Sequence, residues 1–166
     1  MVPEGKYPWM ARLAGCGAFF ITDLHALTAK HCAPMKGDEI KFGSNDRKKL
    51  RSATVSDVIT HPNLDIAILT LSERMKYSDE HPICLPSLSI KYNSGFGIAA
   101  GWGTTLIKND PTPTLMRETT LEIANYDGYC KKNGRYICGY GSPEMKTEVG
   151  YGDSGGPFMA KETGGR

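Results

Sequence analysis

The apolar runs of this sequence are short and are separated by turn-forming residues. No window carries the i, i+3, i+4, i+7 spacing of a long amphipathic helix, so only short helices are expected, at 30–35 and near 126–132. Short runs bounded by Gly, Pro, Asn and Asp are typical of strands. The pattern therefore predicts an all-β sandwich or barrel. We predict strands at CGAFFIT (16–22), HALTA (25–29), EIKFG (39–43), ATVSDVI (53–59), DIAILTL (65–71) and GIAAGWG (97–103), with shorter ones at TLEIANY (120–126) and RYICGY (135–140).

Two of these runs, CGAFFI and IAIL, are continuously apolar, which predicts strands that are buried on both faces. With 166 residues, the chain is long enough for one domain or for two small lobes that share an interface. The polar, proline-rich stretch KNDPTPT (108–114) is either a surface loop or the boundary of two halves.

The charge balance argues against two classes of partner. The formal net charge is +2, and the basic run RKKL (47–50) is short enough to be a solvated turn. Nucleic acids and anionic membrane surfaces both require a strongly basic face, so neither is expected as a partner. No apolar run is long enough to span a bilayer, and MVPEGKYPWM lacks the apolar core of a secretory signal.

The chain has five cysteines, which is many for a reduced cytosolic protein of this size. Zinc sites use closely spaced Cys pairs or matching histidines, and the sequence has no such pair, so we expect disulfides, an oxidising compartment and no metal site. An odd count leaves one cysteine over. The five are Cys16, Cys32, Cys84, Cys130 and Cys138.

One serine stands in a glycine-rich stretch, GYGDSGGPFM (150–159). A serine hydroxyl needs a neighbouring base to act as a nucleophile, and an attacked carbonyl needs N–H donors for its developing charge. The glycines around Ser154 let the backbone turn sharply and present the N–H groups of Gly152 and Ser154. Taken alone, the stretch is equally compatible with an ordinary glycine-rich turn or a weak phosphate-binding loop.

His31, in LTAKHC (27–32), and Asp65, in NLDIAILTL (63–71), are the candidate partners of this serine. A disulfide between Cys16 and Cys32 would fasten the histidine-bearing turn to an adjacent strand. A carboxylate at the start of a core strand is costly to bury unless it is hydrogen-bonded, and a histidine N–H would satisfy Asp65. Many aspartates before strands are only turn residues, and the other three histidines have an ordinary structural interpretation.

The chain carries His31, Asp65 and Ser154 in this order and with these flanking residues. In this respect it resembles the chymotrypsin/trypsin-like serine proteases. Further matching blocks are PWMARL (8–13), VITHPNLDIAIL, AAGWGTT (99–105), GGPF (155–158) and the segment PICLP around Cys84. The resemblance implies one protease domain over 1–166, made of two antiparallel β-barrels at about 8–90 and 91–166, with the second incomplete at the C-terminus. It also implies that Ser154 is the nucleophile, His31 the general base and Asp65 the orienting carboxylate, with Gly152 and Ser154 forming the oxyanion hole.

The resemblance also implies features that this sequence changes. Members of the family are commonly activated by a new amino end, typically I-V-G-G, that pairs with the aspartate before the nucleophile. That tetrapeptide is absent here, so we expect Asp153 to be a costly buried charge or to swing to solvent. Common family cysteines are replaced at Gly97, Gly150 and Ala160.

The resemblance assigns roles to the remaining cysteines and to one glutamate. Cys130 and Cys138 are expected to close a small loop, and Cys84 to tether a pro-segment or light chain. Glu148, six residues before the serine, occupies the place that sets primary specificity and implies a preference for basic residues. The loop GSNDRKKLRS (43–52), where some members bind calcium, is mostly basic, so no calcium and no other cofactor is expected.

The sequence therefore favours a secreted serine endopeptidase that acts on polypeptides through a His-Asp-Ser triad. The alternative is a catalytically inactive homologue that serves as a binding or decoy module. An unrelated small β-domain is a third, remote alternative.

Overall fold

A computed structural model describes residues 1–76, 81–87, 94–105, 112–124, 130, 136–142 and 147–160. These residues form strands and one short 3₁₀ helix, η1, at Lys30–Cys32, and Cys130 is also helical, so the predominantly β prediction is confirmed. The strands are β1 Met10–Leu13, β2 Cys16–Phe20, β3 His25–Thr28, β4 Glu39–Phe42, β5 Arg51–Thr60, β6 Ala67–Leu71, β7 Gly95–Gly101, β8 Arg117–Ile123, β9 Gly139–Tyr140 and β10 Phe158–Met159.

The first six strands close into an antiparallel barrel in the order β1-β2-β3-β6-β5-β4. The barrel closes where Ala11 of β1 pairs with Phe42 of β4. Its interior is filled by side chains that alternate along the strands, because successive residues of a strand point to opposite faces. At its centre the rings of Phe20 and Phe42 meet edge to face with centroids 5.0 Å apart. Phe20, Ile40, Val55 and Leu69 are completely buried.

The remaining strands form an antiparallel sheet in the order β10-β7-β8-β9. Its longest pairing joins β7 to β8 along their whole length, from Gly95 opposite Ile123 to Gly101 opposite Arg117. The ring of Phe158 covers the backbone of Gly97, where a Cβ would lie only 2.4 Å from the ring. Over the described residues, this second unit is therefore an open sheet, which is consistent with the incomplete second barrel that the sequence predicts.

The barrel and the second sheet share a buried apolar cluster, defined by Val2, Met10, Ala100, Trp102 and Met116. Met10 belongs to β1 of the barrel, whereas Ala100 belongs to β7 of the sheet. The indole N–H of Trp102 donates to the carbonyl of Asn45 at 2.8 Å. This cluster, which we call the interface cluster, joins the barrel to the second sheet.

Two details differ from the sequence-based expectations. The run at 66–69 does not form a strand buried on both faces: β6 begins at Ala67, and its residues alternate between buried and partly exposed. The reason is that β6 lies in a barrel wall with only one interior face. The predicted helix at 30–35 is reduced to the single turn η1, because Ala33 adopts a left-handed conformation (φ 49°). Most of the predicted helix near 126–132 lies outside the described residues.

By contrast, β2 is buried on both faces along most of its length, as the sequence predicts. Its inner face supplies Phe20 to the barrel, and its outer face lies against the loop that contains Ser154. The contact is backbone to backbone: a Cβ on Gly17 would lie 2.9 Å from the nitrogen of Gly156.

Candidate active site

His31 lies in η1, immediately after β3. A disulfide joins Cys32 of this turn to Cys16 at the start of β2, with their Cα atoms 6.2 Å apart. The barrel therefore holds the histidine-bearing turn covalently at one side and through β3 at the other.

Asp65 lies near the end of the turn between β5 and β6, two residues before β6 begins. One carboxylate oxygen accepts a hydrogen bond from the His31 backbone N–H at 2.8 Å. The other lies 2.5 Å from His31 Nδ1. A carboxylate at Nδ1 favours the tautomer in which Nδ1 carries the proton, which leaves Nε2 as the free proton acceptor.

The sequence led us to expect a buried carboxylate at Asp65, but its side chain is 57% exposed. The hydrogen bond from the His31 side chain lowers the pKa of Asp65 below its ordinary value, and it does so by more than burial raises this pKa. The carboxylate accordingly stays ionised at neutral pH and can orient the ring.

The loop that contains Ser154 packs on the barrel beside η1. Its closest approach is at Gly155 (φ +80°), where a Cβ would lie 2.3 Å from Thr28 Oγ1 and 2.6 Å from the carbonyl oxygen of Gly17. The Gly17 N–H donates to the Ser154 carbonyl at 2.7 Å. Only glycine at position 155 is compatible with this approach and this φ.

The approach brings Ser154 to the histidine-bearing turn. The Ser154 carbonyl oxygen lies 3.8 Å from the sulfur of Cys32. A ring nitrogen of His31 lies within 4.8 Å of that sulfur. Among the described residues, no hydrogen bond joins the Ser154 hydroxyl to the His31 ring.

Gly152 and Ser154 have backbone N–H groups with no acceptor in the described part of the chain. The neighbouring N–H groups are engaged: Tyr151 donates to Thr104 Oγ1 at 3.1 Å, and Asp153 to the Gly150 carbonyl at 3.1 Å. Gly152 has a φ of +98°, which a glycine adopts without strain. The loop therefore leaves these two donors available to a negatively charged oxygen.

Asp153 neither swings to solvent nor lies unpaired, in contrast to the expectation from the sequence. Its carboxylate is half-buried and accepts hydrogen bonds from the N–H groups of Gly103 at 2.8 Å and Gly150 at 3.0 Å. The carboxylate fills the space beside Gly101 and Gly103, where a Cβ would lie within 2.4 Å of it. The two glycines of the GWG motif are thus a signal for this contact that sequence reasoning missed.

A cavity of about 430 Å³ lies beside Asp153, with Glu148, Glu118 and Arg117 in its lining. Glu148 is exposed at this cavity. Glu118, which the sequence did not single out, accepts hydrogen bonds from Lys6 Nζ at 2.6 and 2.8 Å and from the Tyr7 hydroxyl. The Lys6 contact lowers the pKa of Glu118, so this carboxylate is ionised at neutral pH and paired with the Lys6 ammonium.

The other cysteines follow the sequence-based pairing. Cys130 is bonded to Cys138, and Cys84 is a free, exposed thiol. The side chains of Cys16, His31 and Cys32 are the one group of potential metal ligands within the described ranges, but disulfide sulfurs lack the thiolate that binds metals. Where the structure describes the chain, no helix combines the length and apolar character needed to cross a bilayer.

Three comparisons relate this geometry to known proteins. The family model described as Trypsin matches residues 1–164. The chain is 28% identical to the proclotting enzyme of Tachypleus tridentatus, over 95% of this chain and 52% of that protein. It is 29% identical to transmembrane protease serine 11C of Mus musculus, over 98% of this chain and 43% of that protein.

Trypsin-1 of Astacus astacus is 29% identical over 90% of this chain and 72% of its own length. The chain thus spans about half or less of the first two relatives and most of the third. Among solved structures, neuropsin, a serine protease expressed in the limbic system of mouse brain, has a TM-score of 0.79 and 24% identity, over 96% of this chain and 79% of that one. At this identity the likeness shows a shared fold.

Proposed function

The chain belongs to the trypsin family, and from that membership we propose that it is a serine endopeptidase with His31, Asp65 and Ser154 as its catalytic triad. The observation that carries the proposal is the contact of His31 Nδ1 with the Asp65 carboxylate at 2.5 Å, on the turn that the Ser154 loop packs against. An oriented histidine beside a glycine-rich serine loop is the arrangement that nucleophilic acyl transfer requires.

In the proposed mechanism, the Ser154 hydroxyl attacks the carbonyl carbon of a peptide bond while His31 Nε2 takes its proton. Asp65 accepts the Nδ1–H bond and stabilises the imidazolium that forms. The N–H groups of Gly152 and Ser154 donate to the oxygen of the tetrahedral intermediate. His31 then protonates the departing amine, and a water molecule hydrolyses the acyl-enzyme by the same route.

Covalent labelling with a fluorophosphonate probe tests this proposal. The folded, oxidised chain should be labelled at Ser154, and both Ser154→Ala and His31→Ala should abolish labelling. Ser52→Ala, which removes an exposed hydroxyl from β5, is the matched control and should be labelled normally. If the oxidised parent protein is not labelled, the enzyme proposal fails and the alternative of a non-catalytic binding module is supported.

We further propose that Glu148 gives the enzyme a preference for substrates with Lys or Arg before the cleaved bond. Its carboxylate lines the same cavity as Asp153, and a cationic side chain is its natural partner. The ratio of kcat/KM for arginine and phenylalanine peptide substrates should fall in Glu148→Gln. Glu73→Gln, which removes an exposed carboxylate after β6, should leave the ratio unchanged. An equal ratio in parent and Glu148→Gln would refute the role.

We also propose that the protein is secreted and that Cys84 carries a disulfide-linked pro-segment or light chain. Two disulfides and one exposed thiol support this, because disulfides persist in oxidising compartments. Protein isolated from its natural source should lose mass on a gel when reduced, and a Cys84→Ser protein should not. Identical mobility of the natural protein with and without reductant would argue against the tether.

A further inference from the structure

The turn that precedes Asp65 is closed by a histidine side chain. β5 ends at Thr60 and β6 begins at Ala67, and the His61 N–H donates to the Ile66 carbonyl at 3.0 Å. The His61 ring folds back over the turn, and its Nδ1 accepts hydrogen bonds from the N–H groups of Asn63 at 3.1 Å and Leu64 at 2.9 Å. A ring nitrogen that accepts two N–H bonds carries no proton, so the neutral ring is protonated at Nε2.

The His61 side chain accepts the hydrogen bond from the Asn63 N–H as an Asn or Asp side chain does in many turns, where the side-chain oxygen accepts the backbone N–H two residues later. Pro62 has no N–H to contribute. Apart from His61 Nδ1, the described residues offer no acceptor to the N–H groups of Asn63 and Leu64. The ring therefore defines the backbone path of the two residues before Asp65.

Both ends of this turn are tied to η1. At its first residue, the Lys30 ammonium donates to the His61 carbonyl at 3.1 Å. Near its other end, Asp65 accepts hydrogen bonds from the backbone and the ring of His31. Because the Asp65 side chain is 57% exposed, hydrogen bonds rather than packing among the described residues hold it in place.

We propose that His61 is a positioning residue that holds the Asp65 carboxylate against His31 through the acceptor at Nδ1. The proposal rests on the proposed protease function for its catalytic consequence, but its structural part stands without it. Without the acceptor, the N–H groups of residues 63 and 64 donate hydrogen bonds to water instead. The backbone before Asp65 then gains conformational freedom. His61 touches no reacting atom in this account and acts only through Asp65.

Two variants separate the acceptor from the bulk of the ring. His61→Leu keeps an apolar side chain of similar reach without an acceptor, and His61→Asn restores a short acceptor to the N–H two residues later. The matched control is His25→Leu, because His25 also contacts a turn residue, Thr22, but at the other end of β3. His61 is exposed, and circular dichroism of each full-length variant checks that it folds.

The first measurement is an NMR titration of the Asp65 carboxyl carbon, which needs no catalytic activity. In His61→Leu, we expect the pKa of Asp65 to rise toward its ordinary value, because its hydrogen bonds to His31 are made for less of the time. In His61→Asn and His25→Leu, it should stay at the parental value. If His61→Leu leaves the pKa unchanged, or if His61→Asn shifts it as much as His61→Leu does, the proposal is overturned. Should His61→Leu not fold, His61→Ala makes the same comparison.

The second measurement is ester hydrolysis. His61→Leu should lower kcat roughly 10- to 100-fold with little change in KM, since a misplacement of about 1 Å costs on this order, and His61→Asn should recover most of the rate. A parental kcat in His61→Leu contradicts the catalytic part of the proposal. If the parent protein hydrolyses no ester, the proposed function fails, and the titration still decides whether His61 positions Asp65.

Discussion

At the scale of single residues, the candidate site depends on positions where only glycine fits. Gly155 combines a φ of +80° with a close approach to Thr28 and Gly17 on the barrel. Gly15 has nearly the same φ, +81°, but open space where its Cβ would stand. The two positions therefore separate the cost of the conformation from the cost of the collision.

We predict that Gly15→Ala lowers the free energy of unfolding by about 1 kcal/mol, the cost of a left-handed alanine. Gly155→Ala should cost more, because its methyl group would displace the Ser154 loop from the barrel, and it should also slow fluorophosphonate labelling. Urea denaturation and labelling rates measure both effects. Equal losses of stability at the two positions would show that the close approach at Gly155 adds nothing to the cost of the substitution.

The residue scale also shows what sequence reasoning achieves at the site. The resemblance predicted that His31 and Asp65 lie next to each other, and in the structure they are in hydrogen-bond contact. The sequence did not indicate that Asp65 would be exposed or that His61 would close its turn. Exposure depends on what packs around a residue, and one histidine in a turn has no pattern that distinguishes it from a solvated one.

At the scale of elements, the pattern predicted strands that overlap β2 through β9, and it predicted none at β1 or β10. β10 has only two residues, which gives no periodic signal, whereas β9 is as short but ends the longer run RYICGY. β6 was predicted to begin at residue 65, although its pairing with β5 starts at Ala67. The difference matters because it leaves Asp65 in the turn, where hydrogen bonds determine its position instead of a sheet.

The N-terminal segment is held to β8 by an ionic contact that sequence analysis did not foresee. Lys6 and Tyr7 both donate to the carboxylate of Glu118. The hydrogen bond from Lys6 is the main reason that the pKa of Glu118 is lowered. Glu118 also lines the cavity beside Asp153, so this contact supports one wall of the candidate site.

We predict that Glu118→Gln lowers the melting temperature at pH 7. A carboxylate with a depressed folded pKa stabilises the fold above its ordinary pKa, and this contribution is lost as the pH falls through the folded value. The difference between parent and variant should thus shrink below about pH 4, the ordinary range for glutamate. Melting curves at pH 7 and pH 3, with Glu73→Gln as the control, provide the test. A difference that persists at pH 3 would contradict the ionic origin of the effect.

At the scale of the whole molecule, the proposed catalytic residues come from two structural units. His31 and Asp65 lie on the closed barrel, and Ser154 lies on the loop that leads into β10 of the second sheet. The interface cluster and the Gly17–Ser154 hydrogen bond join these units. Activity should accordingly depend on residues far from the chemistry that keep the units docked.

Met116 tests this dependence, since it is 3% exposed in the interface cluster. We predict that Met116→Ala lowers the free energy of unfolding by about 2–5 kcal/mol, as for other buried large-to-small changes, and slows labelling of Ser154 under folded conditions. Met35, 66% exposed, is the control, and Met35→Ala should change stability by less than about 0.5 kcal/mol. Parental labelling by a destabilised Met116→Ala protein would mean that the site is insensitive to docking.

The backbone contact between Gly17 and Gly156 restricts how this protein can vary. A Cβ at position 17 would collide with the main chain of the opposite unit, and no side-chain rotamer can relieve a collision with main-chain atoms. In a saturation library screened for folded protein with a reactive serine, position 17 should therefore return glycine almost exclusively, although it lies within a β-strand. A core site such as Leu69 should instead tolerate several apolar replacements of similar volume.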